Sequence, residues 1–461
     1  MQQPPPRETA GSAFDESPRL TEGDVNRSPR RVEFRAGLPE ATRDLLSEDE
    51  EWFLHQSLST PCLNALQGSE GAELIDLAGR RILDFHGNSV HQVGYGHPRV
   101  VEAIKRQLDR LPFCPRRYTH RDAVELARRL CELAPVRRPI SAAGARIHPR
   151  LLFSPGGTNA IGIALKLARY ATGRFKTVSM WDSFHGASLD AISIGGEALF
   201  REGVGPLLPG CLHVPAYAPE GIGRQSAEYV EYVLSKERDV AAVIAEPMRW
   251  TTVVPPAADY WPRIRASCDR YGALLVIDEI PACLGRTGRM FCSENFGIEP
   301  DILVIGKGLG GGVFPLAATI ARGDLNVAAD RALGHYTHEK SSLGAAAGLA
   351  TLDVIADERL VERAAELGKR SLAQLQEQLG NCSLVHEIRG LGLQIAIELR
   401  YEGQPATEQA DAVLYRSFAQ GLSYKISDGN VLSLCPPLTI SDEAMQRAID
   451  IVSEAIRAVA G

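Results

Sequence analysis

Two short apolar runs constrain this chain more than any other feature. Tyr271-Gly-Ala-Leu-Leu-Val-Ile-Asp-Glu279 and Asp301-Ile-Leu-Val-Ile-Gly-Lys-Gly-Leu-Gly-Gly-Gly312 each rise through β-branched residues and stop on one charged side chain, Asp278 in the first and Lys307 in the second. Unbroken apolar runs of this length suit strands covered on both faces of a parallel sheet, and open α/β sheets bind ligands beyond the carboxyl ends of their strands. Asp278 and Lys307 are therefore expected at the mouth of one crevice.

A lysine in that place is the side chain that forms Schiff bases with carbonyl compounds once burial lowers its pKa. An aspartate on a neighbouring strand is its complement, because an acid beside a pyridine nitrogen keeps that nitrogen protonated; an opposite charge at close range shifts a pKa by roughly 1–3 units. The pair points to pyridoxal phosphate, whose ring is an electron sink. Two other readings stand beside it. Gly306-Lys-Gly-Leu-Gly-Gly311 matches the G-x-G-x-x-G fingerprint of nicotinamide and flavin enzymes. That fingerprint should open a helix, whereas Val313-Phe-Pro-Leu-Ala-Ala318 contains a proline and reads as another strand. Alternatively, Asp278 and Lys307 are partners in a buried ion pair without chemistry.

The surrounding chain repeats one unit of strand, polar or glycine-rich turn, and helix. Arg150-Leu-Leu-Phe-Ser154 leads into Pro155-Gly-Gly-Thr-Asn159 and a helix, Thr177-Val-Ser-Met180 into Trp181-Asp-Ser-Phe-His-Gly186, and Val240-Ala-Ala-Val-Ile-Ala245 into Glu246-Pro247. This alternation predicts an α/β fold with a mainly parallel, doubly wound sheet. Gly156-Gly-Thr158 ahead of a helix suits a phosphate, since converging backbone N–H groups and the positive helix end cradle anions. Phe184 is placed to lie flat on an aromatic ring with His185 near it, although packing or capping would use both residues equally well. Upstream, residues 73–85 alternate about Ala78-Gly79 as a hairpin does, and amphipathic helices are expected from Val100 and from about Arg121 to Leu133. Beyond Leu343 the chain reads as mostly helical, with a strand over 389–398 and a closing helix from about Ser441. The resulting partition is a flexible N-terminal tail over 1–45, the first part of a smaller α+β domain over 46–95, a large cofactor-binding domain over 96–342, and the rest of the small domain over 343–461.

Composition limits partners and compartment. A net charge of −7 leaves no basic footprint for nucleic acid. No apolar run reaches the ~18 residues of a membrane span. Nine cysteines are scattered singly with no C-x-x-C spacing, which argues against a disulfide framework or a zinc site and for a reducing cytoplasm. The first 45 or so residues lack a secretory apolar segment, and their acidic residues fit a transit peptide badly. His335, His338 and Glu339 are spaced poorly for one helix face, so no metal is expected.

In this order the pieces resemble the class-III aminotransferases, a family of fold-type I pyridoxal phosphate enzymes. The resemblance is strongest in Asp278-Glu-Ile-Pro-Ala-Cys-Leu-Gly-Arg-Thr-Gly288, Glu299-Pro-Asp-Ile-Leu303 and Gly306-Lys-Gly-Leu-Gly-Gly-Gly312, and extends to Leu83-Asp-Phe85, Gly96-His-Pro98, Phe184-His-Gly186, Glu246-Pro247, Arg389-Gly390 and Pro436-Pro-Leu438. It implies that Lys307 holds the cofactor as a Schiff base and later moves protons, that Asp278 pairs the pyridine nitrogen, and that Phe184 stacks on the ring with His185 and Glu246 beside it. Gly157 and Thr158 would bind the phosphate. Thr337 lies where the family supplies a phosphate ligand from a neighbouring subunit, which implies a homodimer with two shared sites.

Departures from the family pattern bear on the substrate. Pro281 stands where a glutamine usually faces the cofactor's phenolic oxygen, and Asn159 where an acid usually follows the threonine. Members that use α-keto acids pair an arginine just before Pro-Pro-Leu with a glutamate after Glu-Pro; here those places hold Ser433 and Thr251. Arg249 and the Arg116-Arg117 pair offer forked donors for a phosphonate or phosphate dianion. Residues 116–120 and 333–340 are similar to the subgroup of ammonia-lyases that act on hydroxylated aminoethylphosphonate. The expected activity is elimination of ammonia from a small primary amine such as 1-hydroxy-2-aminoethylphosphonate, giving an aldehyde. The alternative is an ω-amine aminotransferase.

Overall fold

The computed structural model describes residues 28–461. At its centre is a seven-stranded sheet in the order Arg150–Ser154, Ala317–Ala321, Ile302–Ile305, Leu274–Asp278, Val240–Ala245, Lys176–Met180, Cys211–Val214. All strands run the same way except Ala317–Ala321, which is antiparallel to both neighbours. Side chains alternate between faces along a strand, and the two apolar runs divide accordingly. Leu275, Ile277, Leu303 and Ile305 enter one core; Leu274, Val276, Ile302 and Val304 enter another on the opposite face. Burial on both sides explains why these runs carry no polar alternation. Each such side chain contributes about 1.5–3 kcal/mol by leaving water.

Two smaller sheets flank the central one. Leu66–Glu70, Glu73–Asp76 and Arg81–Asp84 form a meander about the expected turn, and Leu422–Ser423 from the far end of the chain adds to it in parallel. Val385–Leu391, Gln394–Tyr401, Val431–Leu434 and Lys425–Ser427 form an antiparallel sheet. The closing helix Asp442–Ala460 starts at Ser441, whose hydroxyl accepts from Ala444 N–H at 3.1 Å.

Three expectations change. The strand expected over 389–398 is a hairpin, because Gly392 takes a left-handed conformation (φ +55°) and turns the chain between Val385–Leu391 and Gln394–Tyr401. The C-terminal region also holds more strand than expected, including Lys425–Ser427 and Val431–Leu434. The tail boundary at 45 falls inside a helix: Pro29–Ala36 begins at Ser28, whose Oγ accepts from Arg31 N–H at 3.1 Å, and Glu40–Trp52 follows. The remainder of that tail, residues 1–27, lies outside the described residues.

The dinucleotide reading lacks its helix, since Lys307–Gly310 is a single 3-10 turn that leads to the strand Ala317–Ala321. Among the described residues no helix is long and apolar enough to cross a membrane, and no cluster of His, Cys, Asp and Glu could hold a metal ion. None of the nine cysteines is paired.

Candidate active site

Asp278 ends its strand opposite Val304, and Lys307 follows that partner by three residues, just beyond the end of the adjacent strand. Both side chains therefore leave the sheet at the same edge. The turns beyond the strands are knitted together by close packing. Ile280 N–H donates to Asp278 Oδ1 at 3.0 Å. Gly157, the first residue of the helix Gly157–Thr172, lies so near Ile280 that a β-carbon would come within 2.7 Å of its Cδ1. Gly186, at φ +126°, leaves even less room: a β-carbon there would lie 2.3 Å from Thr158 Oγ1. The turn carrying Phe184 and His185 is thereby seated on the positive end of that helix.

The Asp278 carboxylate is 2 % exposed, and its Oδ2 lies 2.8 Å from His185 Nδ1. His185 is as deeply buried, and its Nε2 has no hydrogen-bond partner. Lys307 has a left-handed backbone (φ +45°), which costs a residue with a β-carbon about 1–2 kcal/mol. Burial, and then the Lys425 ammonium, push the Lys307 amine below its ordinary range, while Asp278 and Glu246 act the other way. Burial raises the Glu246 carboxyl, opposed by His185, Arg249 and Lys307. Glu279 takes no part in the crevice. It accepts the N–H groups of Cys292 and Ser293 at 2.6 and 2.7 Å, and burial pushes it up to about 7. Phe184 is 39 % exposed, with its ring 4.6 Å from that of Phe200.

Residues 56–456 match the family model for class-III aminotransferases. The chain belongs to this family. Members of the class-III family are pyridoxal phosphate enzymes. The (R)-1-hydroxy-2-aminoethylphosphonate ammonia-lyase of Vibrio splendidus (strain 12B01) is 44 % identical, with 95 % of each chain covered. The acetylornithine aminotransferase of Methanothermobacter thermautotrophicus is 32 % identical over 85 % of this chain and 93 % of that one. Among solved structures, an omega transaminase from Pseudomonas jessenii in complex with PMP superposes with a TM-score of 0.81 at 28 % identity, covering 90 % of this chain and 98 % of the other. A Bacillus anthracis aminotransferase gives 0.80 at 27 % identity, with 94 % and 100 % covered.

In this class-III chain Arg249 stands at the mouth. Its Nη1 donates to Asp182 O at 2.8 Å, and its Nη2 lies 3.6 Å from Asp428 Oδ1. Asp182, Val253 and Asp428 around it all have positive φ, so the rim shares the strain seen at Lys307. A cleft of about 2040 Å³ opens here between the loops around Trp181 and Tyr217 and the C-terminal sheet.

Arg117 and Thr337 lie elsewhere, on exposed loops. Those loops touch: the rings of Phe113 and His338 are 5.2 Å apart, and His120 Nε2 lies 3.2 Å from Lys340 O. At the departures from the family pattern, Ser433 Oγ accepts from Gln394 Nε2 at 3.2 Å and Thr251 Oγ1 is buried without a partner. Two residues passed over in sequence also bear on the crevice, His86 and Lys425. The only sequence signal for Lys425 is a lone cation within a largely apolar strand pair.

Proposed function

We propose that this chain is a pyridoxal phosphate-dependent ammonia-lyase acting on a hydroxylated aminoalkylphosphonate such as 1-hydroxy-2-aminoethylphosphonate, yielding an aldehyde and ammonia. The observation that carries this reading is the 44 % identity to such a lyase across 95 % of both chains, against 32 % for an acetylornithine aminotransferase. The substitution of Ser433 and Thr251 at the places where keto-acid users carry their carboxylate clamp supports it.

The crevice suits the cofactor on three counts: the orphaned buried Nε2 of His185, the side-chain-free helix start at Gly157, and a depressed amine beside a buried carboxylate. When bound, the cofactor acidifies the carbon that bears the substrate amine and draws off its electrons. Lys307 would hold it covalently and, once displaced by substrate, act as the base that removes that proton; burial lowers its pKa, the direction that favours the neutral form a base needs. Asp278 would hold the proton of the pyridine nitrogen, with its oxygens fixed by His185 and the Ile280 N–H. Gly157 and Thr158 would receive the phosphate, Phe184 would cover the ring, and His185 and Glu246 would complete the pocket. Arg249 would meet the phosphonate at the mouth.

A hydroxyl on the neighbouring carbon is what makes elimination available. It departs with a proton as water, and water then replaces the amino group, so the net change is loss of ammonia with no acceptor consumed. This reading includes a cytoplasmic homodimer with no nucleic-acid or membrane partner. In it the paired exposed loops carry Thr337, and Arg117 with it, into the neighbouring subunit's site.

The test is repeated turnover without a keto acid. Ammonia released over many cycles from the hydroxylated aminoalkylphosphonate supports the lyase. A stall after one turnover, relieved by a keto acid, overturns it in favour of a class-III aminotransferase, the reading favoured by the acetylornithine and omega transaminase relatives.

A further inference from the structure

We propose that Glu246 is a positioning residue: its carboxyl is the partner of His185 Nε2, and it completes a buried acid–imidazole–acid chain that holds Asp278 against the pyridine nitrogen of the cofactor. The inference rests on the cofactor reading above and holds whether elimination or transamination follows.

Sheet order places Glu246. The strand Val240–Ala245 lies between Leu274–Asp278 and Lys176–Met180, and the turn that follows Lys176–Met180 carries His185. Neighbouring strands are about 4.8 Å apart, so a side chain from that turn reaches Asp278 only by passing over the end of the strand between them. His185 Nδ1 makes this crossing and lies 2.8 Å from Asp278 Oδ2. Glu246 is the residue that follows the end of the crossed strand.

Register gives its direction. Ala242 and Ile244 pair with Leu274 and Val276, and all four enter one core; Val243 and Ala245 pair with Leu275 and Ile277 in the other. Continuing the alternation by one residue sets Glu246 beside Asp278 on the face of Ile244 and Val276. The His185 turn sits on that face too. Gly186 packs against Thr158 in the helix Gly157–Thr172, whose Ala160 and Ile161 share a core with Ile244 and Val276.

The hydrogen-bond inventory leaves two matching vacancies. Both Asp278 oxygens are engaged, by His185 Nδ1 and by Ile280 N–H. An imidazole that gives its Nδ1 proton to a carboxylate presents a lone pair at Nε2 when neutral and a second donor when charged. That Nε2 is buried without a partner, and the Glu246 carboxyl receives no hydrogen bond from the described residues. His185 is the ionisable group that acts most strongly on Glu246, ahead of Arg249, Asp278 and Lys307.

Two carboxylates side by side in a buried site do not both ionise freely. Asp278, with two donors on it, keeps its charge, and the spare proton lies between Glu246 and His185. On either of them the three groups together carry a single negative charge. That charge balances one protonated pyridine nitrogen.

The test uses the whole chain with Glu246→Gln, Glu246→Met, His185→Ala and the double variant His185→Ala with Glu246→Met. Pyridoxal phosphate is titrated into each apoprotein for its Kd, and kcat is measured in whichever reaction the wild type performs. Glu246→Met fills the space without an acid and should weaken cofactor binding and lower kcat by about tenfold or more, the worth of a hydrogen bond to a charged group. Glu246→Gln still offers a donor to Nε2 and should lose no more than about threefold in either. In the His185→Ala background Glu246→Met should cost less than about twofold further, because the two side chains act as one unit. Wild-type Kd and kcat in Glu246→Met, equal losses in the Gln and Met variants, or losses that multiply in the double variant overturn the assignment. Glu246→Leu takes the place of Glu246→Met if circular dichroism shows that variant unfolded. The lyase reading stands or falls separately, on ammonia release without a keto acid.

Discussion

His185 Nδ1 lies 2.8 Å from Asp278 Oδ2, and both side chains are closed off from solvent. With Ile280 N–H on Oδ1, each carboxylate oxygen is held, so Asp278 cannot rotate away from the crevice. Asp278→Asn keeps the shape and removes the charge. We expect it to retain bound cofactor and lower kcat by about 10²–10⁴-fold, the range for a positioned acid or base. His185→Ala should cost about tenfold, the worth of one hydrogen bond to a charged group. Steady-state kinetics of both variants checks this; a larger loss in His185→Ala than in Asp278→Asn would contradict the arrangement.

Lys307→Ala should abolish the covalent link and with it the visible absorbance of the holoenzyme. Turnover should fall by at least about 10²-fold. Absorbance after gel filtration, with circular dichroism to confirm the fold, is the measurement. A variant that keeps both band and turnover would remove Lys307 from the chemistry.

Gly186→Ala would place a β-carbon 2.3 Å from Thr158 Oγ1 at a backbone angle that side chains avoid. We expect about 1–3 kcal/mol of lost stability and weaker cofactor binding, read as a lower Tm and a higher Kd.

Removing the Lys425 charge has a defined sign at Lys307. The ammonium disfavours a second positive charge nearby, so Lys425→Met should raise the pH at which the Lys307 amine titrates; Asp278 and Glu246, which favour the charged form, remain in place. Titration of Lys307 in the apoprotein by labelling rate against pH reads the shift. No change, or a downward one, would contradict the juxtaposition.

His86, His91 and His213 are each lowered from 6.5 to about 4, chiefly by burial. Between those values the unfolded chain binds more protons than the folded one, so these residues favour the fold above pH 6.5 and that contribution is lost as the pH falls towards 4. Each contributes at most about 1.4 kcal/mol per pH unit in that window. Urea midpoints from pH 7 to 4 should decline accordingly, and His91→Gln should flatten the slope.

Much of the central sheet was legible because its signal is local. Burial on both faces forces unbroken apolar runs, and the polar residues at strand ends mark the ligand edge without any knowledge of tertiary contacts. The helix Arg121–Leu133 and the hairpin about Gly79 were readable for the same reason. What escaped depends on distant partners. Gly392 looks like one more small residue in an alternating strand until its left-handed turn is seen. The helices Pro29–Ala36 and Glu40–Trp52 have charge-rich sequences that resemble a tail, and helices of this length owe most of their stability to tertiary packing. His86 and Lys425 are far apart in the chain, and the parallel pairing of Ser423 with Asp84 helps bring their segments side by side.

That pairing has a consequence for biosynthesis. The wall of the crevice opposite Lys307 waits for residues 422–435, which lie more than a hundred positions beyond it. A nascent chain therefore leaves the ribosome with its reactive lysine and acid already translated but with an incomplete enclosure around them. Premature termination after Ala321 but before the last two strands would give a product that holds every strand of the central sheet and lacks that part of the enclosure.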